Sequence, residues 1–99
     1  MVITKKQDAE KLTVELEGRL DTVTSPQLEA ELRSSVNGIT ELVFDFSNLD
    51  YISSAGLRVL LTAQKVMNKQ GEMKIKNVKP EIMDIFEVTG FIDILNIEE

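Results

Sequence analysis

A nearly continuous apolar run, Leu42-Val43-Phe44-Asp45-Phe46, is followed a few residues later by a long apolar stretch opened by two serines, Ser53 and Ser54. The run reads as a central strand, where alternating polar positions have no role. The stretch after the serines has helical spacing. Arg58, Thr62, Lys65 and Lys69 form one narrow polar stripe, whereas Leu57, Val59, Leu60, Leu61, Ala63, Val66 and Met67 cover most of the circumference. A helix from Ser54 to about Gln70, ended by Gly71, is therefore expected to be largely buried, with its N-terminus held firmly. By position the two serines are caps, able to accept hydrogen bonds from the free N–H groups of the first turn.

The rest of the chain supplies partners for this strand and helix. Leu12, Val14 and Leu16 alternate with Thr13, Glu15 and Glu17, the period of a strand wet on one face. Val2 to Lys5 is expected to pair with it across a polar turn, Lys6 to Glu10. Met73, Ile75 and Val78 alternate with Lys74, Lys76 and Lys79 in a further half-exposed strand. Ser25-Pro26 reads as N-cap and first residue of a helix to about Val36. Leu28, Leu32 and Val36 face inward there, Glu29 and Arg33 pair outside, and Asn37-Gly38 stops it. A third helix starts at Pro80, buries Ile82, Ile85 and Phe86, and stops near Gly90. Phe91 to Ile97 then makes a short helical turn or an edge strand. The order β-β-α-β-α-β-α, with right-handed crossovers, predicts an α/β fold over residues 1–99: a mixed four- to five-stranded sheet with its helices mainly on one face.

Composition narrows the function classes. Ninety-nine residues make one domain with one core. The absence of Cys excludes disulfides, thiolate metal sites and cysteine nucleophiles, and the absence of His removes the commonest general base and metal ligand. A net charge of −6 argues against binding the nucleic-acid backbone. No apolar run approaches the ~20 residues of a membrane span, and Met1 to Glu10 is polar rather than a secretory leader. A cytoplasmic protein with no membrane insertion is expected.

Parallel strands bring their carboxyl ends and the following helix N-termini to one edge, where α/β folds place their sites. Asp21, Asp50, Ser53 and Ser54 are all expected there. Each also has a structural reading: Asp21 as a turn former, Asp45 as a hydrogen-bonded carboxylate organising the loop after its strand, the serines as caps. Lys74, Lys76 and Lys79 read as a solvated strand face, and the four Met residues as core gap-fillers. Catalysis is not expected, because Ser54 has no Lys or Glu at helical spacing, and Arg58 stays protonated and cannot serve as base. Gly56 stands alone, without a Walker or dinucleotide-binding pattern.

The stretch Asp50-Tyr51-Ile52-Ser53-Ser54-Ala55-Gly56-Leu57 resembles the signature of STAS domains of the anti-sigma factor antagonist type. Glu17-Gly18-Arg19-Leu20-Asp21 matches the family's turn after its second strand, and Val43 to Phe46 its central strand, so the resemblance covers nearly the whole chain. It implies that Ser54 is the residue phosphorylated by a partner kinase. The sequence departs from the pattern at Ser53, where the family has aspartate, at Ala55, where it has a second hydroxyl residue, and at Arg58, where a small residue is common. The resemblance further implies an anti-sigma factor serine kinase as partner, a serine phosphatase that resets the switch, and no cofactor. The partner-binding surface it implies comprises Asp21, Asp50, Ile52, Ser53, Ala55, Gly56 and Arg58. STAS domains also serve as small-ligand or nucleotide sensors and as cytoplasmic parts of transport systems, and these readings stay open at this point.

Overall fold

The computed structural model describes residues 1–98; Glu99 lies outside them. Four strands, β1 (Val2–Asp8), β2 (Lys11–Leu20), β3 (Glu41–Ile52) and β4 (Glu72–Lys76), form one sheet in the order β1-β2-β3-β4. β1 runs antiparallel to β2, and β2, β3 and β4 are parallel, so the sheet is mixed as expected. Helices α1 (Ser25–Ser35), α2 (Ser54–Gln70) and α3 (Pro80–Thr89) supply the connections, and a 3-10 turn follows at Phe91–Asp93. Ile97 then makes one parallel bridge to Ile75, with Glu98 N–H donating to the Ile75 carbonyl at 2.8 Å. After α3 the described residues thus make a helical turn and a single bridge to β4 rather than a further strand, and the sheet has four strands.

Register explains why the helices lie on one face. Leu12, Leu42 and Met73 are side by side in the pairing, as are Val14, Phe44 and Ile75, and all six are buried. Phe46 joins them, 6.0 Å from Phe44 and 6.5 Å from Phe86 of α3, ring centre to ring centre. On the opposite face Thr13, Glu15, Asp45, Lys74 and Lys76 are half-buried and face water. Val43 is buried on that side yet lies outside the connected core, between its register partners Thr13 and Lys74. That is why β3 looks apolar throughout although only one of its faces carries helices.

Several boundaries differ from the sequence expectation. Lys6 to Asp8 belong to β1 rather than to a turn, because the hairpin closes in two residues, with Ala9 at φ +54°. Val78 and Lys79 lie beyond β4, and Lys79 is the N-cap residue of α3. Ser25 is the first residue of α1, not its N-cap; the helix is entered one residue earlier, at Thr24, whose carbonyl accepts from Gln27 and Leu28 N–H, while Ser25 donates its N–H and Oγ to the Asp21 carbonyl. In α2 the buried set includes Gln64, whereas Leu61 is half-buried and Val66 is exposed.

The C-terminal end of α2 is tied to the start of β3. Gln70 Nε2 donates to the carbonyls of Val36 and Ile39 at 2.8 and 2.7 Å, and Glu72 N–H donates to the Thr40 carbonyl at 2.9 Å. Gly71 sits between these contacts, and a β-carbon there would overlap the Thr40 carbonyl group. Both clashing groups belong to backbone, so neither can yield cheaply. Gly71→Ala is expected to lower unfolding free energy by about 1–3 kcal/mol, measured as a shift in urea midpoint at constant slope.

Candidate functional site

The edge where β2 and β3 end is shaped by two irregularities in their pairing. Two steps along β2, Glu15 to Glu17, match three along β3, Asp45 to Asn48; one step, Gly18 to Arg19, matches two, Leu49 to Tyr51. β3 therefore carries an extra residue twice, as in β-bulges, which bend a strand and re-aim its side chains. The buried positions move from the two-residue spacing of Leu42, Phe44 and Phe46 to the three-residue spacing of Phe46, Leu49 and Ile52. Gly18 opposite the second irregularity has φ +103°, a conformation open to glycine at little cost.

The last register pair is Leu20 with Ile52, and Ser53 N–H donates to the Leu20 carbonyl at 2.9 Å. Asp21 and Ser53, 32 positions apart, thus leave adjacent strands side by side. Ile52 and Leu20 are almost fully buried, and Gly56 packs down on both: a β-carbon at Gly56 would lie 2.8 Å from Ile52 Cγ1 and 2.8 Å from Leu20 Cγ. The first turn of α2 is held to the strand ends at this point. A partner could not reach the side chain of Ile52 or the α-carbon of Gly56, so any part they take in an interface is through the backbone they position.

Ser53 is the N-cap of α2, with extended backbone, and its Oγ accepts from Gly56 N–H at a long 3.5 Å. Ser54 is the first helical residue, exposed, and among the described residues its hydroxyl has no side-chain hydrogen bond. Ala55 is half-buried and Arg58, one turn further, is exposed. Of the two serines, Ser53 carries the cap and Ser54 presents a free hydroxyl.

Asp21 builds the neighbouring turn. Its Oδ1 accepts from Val23 N–H at 3.0 Å, Thr24 N–H at 3.1 Å and Thr24 Oγ1 at 3.2 Å. The N–H of Thr24 foremost, then those of Val23 and the Thr24 hydroxyl, with Arg19 nearby, hold the Asp21 carboxyl below its ordinary value against the opposing effect of partial burial. Asp45, at the first irregularity, accepts from Ser47 N–H at 3.0 Å and from Asn77 Nδ2 at 3.1 Å, so it ties β3 to the loop before α3. Burial acts to raise the pKa of Asp45, but these donors and Lys76 outweigh it and the net direction is down.

Asp50 is at the same edge, but its carboxylate turns to Lys79 at the start of α3, 2.8 Å away. It is thereby paired away from Asp21. Sequence reasoning missed Lys79 in this role and also the neighbours Arg19 and Tyr51. The Arg19 guanidinium lies 4.2 Å from the centre of the Tyr51 ring, and its Nε is 3.8 Å from Asp21 Oδ2. Arg19 lies in the Glu17–Asp21 stretch and Tyr51 in the Asp50–Leu57 stretch, but only the shifted register sets Arg19 opposite Tyr51. A cleft of about 270 Å³ beside α2, open on one side, is lined by Thr22, Ser25, Glu29, Ala55, Arg58 and Thr62 among others. No group of three metal-ligating side chains occurs among the described residues, and no helix among them is long and apolar enough to cross a membrane.

The family model for the STAS domain matches residues 1–99. The chain belongs to the STAS domain family. BtrV of Bordetella bronchiseptica, named as an anti-sigma factor antagonist, is 44% identical over 81 residues, covering 80% of this chain and 70% of BtrV. The anti-sigma-B factor antagonist of Bacillus subtilis is 28% identical over 93 residues, covering 93% of this chain and 85% of that protein. The phosphorylated form of SpoIIAA, a Bacillus cell fate determinant, superimposes with a TM-score of 0.77 at 18% identity, over 99% of this chain and 92% of that one. The domain is therefore a STAS domain of the anti-sigma factor antagonist type, and the mixed sheet with helices on one face is that fold.

Two measurements check this geometry. Gly56→Ala is expected to cost about 1–3 kcal/mol, since Leu20 and Ile52 must give way together, and to shift amide resonances at both strand ends. For Asp21, a depressed folded-state pKa means stability that is present above the ordinary value of 3.8 and lost as pH falls through the lower folded value. Asp21→Asn should therefore narrow the difference in unfolding free energy between about pH 7 and about pH 2, with Asp45 still supplying its own part in the same direction. An unchanged difference would mean that the carboxylate bonds do not persist in solution.

Proposed function

We propose that this STAS domain is a phosphorylation-switched protein-binding module of the cytoplasm: with Ser54 unmodified it sequesters an anti-sigma factor serine kinase, and with Ser54 phosphorylated it releases it. The observation that carries the reading is the free, exposed hydroxyl of Ser54, the first residue of a helix whose next turns are buried. The reading is also supported by the names of the antagonist relatives and by the solved phosphorylated form of SpoIIAA. Asp21, Asp50, Ser53, Ala55 and Arg58 surround the hydroxyl in this reading, and Ile52 and Gly56 fix its position.

The chain is the substrate of the chemistry and not its catalyst. The kinase transfers the γ-phosphoryl group of ATP to Ser54 Oγ, ADP leaves, and the hydroxyl proton passes to the kinase; a serine phosphatase hydrolyses the ester with one water, releasing inorganic phosphate and restoring the hydroxyl. Within the domain a phosphate is tolerated. The first N–H groups of α2 and the positive end of its dipole favour an anion by roughly 0.3–1 kcal/mol. At an interface the same phosphate brings about −1.5 to −2 charge and three acceptors into a place built around a neutral hydroxyl. Spoiling one buried polar contact costs about 2–5 kcal/mol. At ~1.4 kcal/mol per decade, that is more than tenfold in affinity.

Incubation with ATP and the organism's histidine-kinase-like anti-sigma proteins should place one phosphate on Ser54, read by tandem mass spectrometry. Phosphate on Ser53 instead, or on neither serine with any such kinase, would overturn the reading. Ser54→Ala should bind the kinase constitutively and keep its unfolding free energy within about 0.5 kcal/mol, because the cap belongs to Ser53. Asp21→Asn, by contrast, should lower phosphorylation or binding if that carboxylate faces the partner.

A further inference from the structure

We infer that Arg58 is an intramolecular clamp for a phosphate on Ser54, so that phosphorylation withdraws this guanidinium from the partner at the same moment as it adds negative charge. The inference rests on Ser54 being the modified residue. It concerns an exposed cation one helical turn beyond Ser54.

The geometry comes from α2 itself. Ser54 and Arg58 are both exposed and lie four residues apart, one above the other on the helix. Long helical side chains lean toward the N-terminus, so the guanidinium of Arg58, which lines a cleft with Ala55 of the preceding turn, is within reach of a phosphate on Ser54. An anion four residues N-terminal to a cation is also the favourable order of the two. Guanidinium and phosphate match in shape, with paired N–H donors facing paired oxygens.

Charge accounting selects Arg58 from the other cations of this edge. Arg19 lies against Asp21 and Tyr51, Arg33 is 2.6 Å from Glu29, and Lys79 is 2.8 Å from Asp50. Arg58 makes no ion pair among the described residues. Its helix, Ser54–Gln70, holds Arg58, Lys65 and Lys69 and no acidic residue, so α2 offers it no internal counter-ion. Glu29, the acidic side chain that lines the same cleft, is already engaged by Arg33. The anion missing from the exposed start of α2 is the one that phosphorylation would supply. Before modification, Arg58 stands free beside Thr22, Ala55 and Thr62, available to a carboxylate of the partner.

Phosphoserine installed at position 54 by codon reassignment permits a test that needs no kinase. Its second ionisation is followed by phosphorus NMR in the otherwise unchanged chain, in Arg58→Gln, in Arg58→Lys and in Lys69→Gln, each checked for fold by circular dichroism. A guanidinium beside the phosphate favours the dianion, so this pKa should be lower by about 0.3 in the unchanged chain than in Arg58→Gln. Arg58→Lys should retain part of the lowering, and Lys69→Gln, near the far end of α2, should leave it in place. Equal values in the unchanged chain and Arg58→Gln, or an equal rise in Lys69→Gln, would overturn the clamp. As a second readout, Arg58→Gln should weaken binding of the unphosphorylated protein to its anti-sigma partner and shrink the ratio of affinities between the two states several-fold. A ratio unchanged by Arg58→Gln would overturn the withdrawal from the partner. Absence of kinase-catalysed phosphorylation at Ser54 would instead refute the functional reading, which the NMR result distinguishes from failure of the clamp.

Discussion

The contact of Gly56 with Leu20 and Ile52 holds the functional edge together. Two parallel strands end at the same level, their last side chains are buried side by side, and the helix that follows one of them comes down on both with no side chain in between. A close approach of this kind fixes the first turn of α2 relative to the loop after β2. The direction in which Ser54 points is therefore a property of the core and not of a flexible loop. Interiors packed to crystal-like density resist displacement, so a modification on this turn is expected to act where it is made.

The polar groups around that contact divide into structural and uncommitted sets. Asp21 is fully engaged in building its turn, Asp45 joins β3 to the loop before α3, and Asp50 holds the start of α3 through Lys79. Asp21 follows the end of β2, Asp45 and Asp50 lie within β3, and the first two accept from backbone N–H groups near them. Ser54 and Arg58 are the members of the motif left exposed and unengaged. A surface that changes partners needs such groups on a base that does not move, and both stand on a helix whose inward positions are nearly inaccessible.

Exposed single ion pairs contribute little to stability, so the edge is not held by its charges. Its rigidity comes from Leu20, Leu49, Ile52, Leu57 and Leu60, all buried. The charges set what can dock there and what a phosphate would meet. Under the proposed reading, this separation would let Ser54 take on and lose about two negative charges while the domain remains folded.

Periodicity by itself determined the element order, the central place of β3 and the extent of α2. Those depend on local spacing of apolar residues, and the apolar faces are long enough to be unambiguous. The motif Asp50 to Leu57 likewise located the edge, because its residue types are needed in that sequence order. Tertiary structure decided which serine caps and which is free, since Ser53 and Ser54 are chemically alike and differ only in where the last strand pair ends. It also set Arg19 on Tyr51 and Lys79 on Asp50, contacts that depend on two extra residues in β3 and on the entry of α3, neither of which leaves a local mark. The boundary of α1 moved too: Ser25-Pro26 has the local form of a cap, but Ser25 donates both its N–H and its Oγ to the Asp21 carbonyl, and the first-turn N–H groups of Gln27 and Leu28 go to the Thr24 carbonyl.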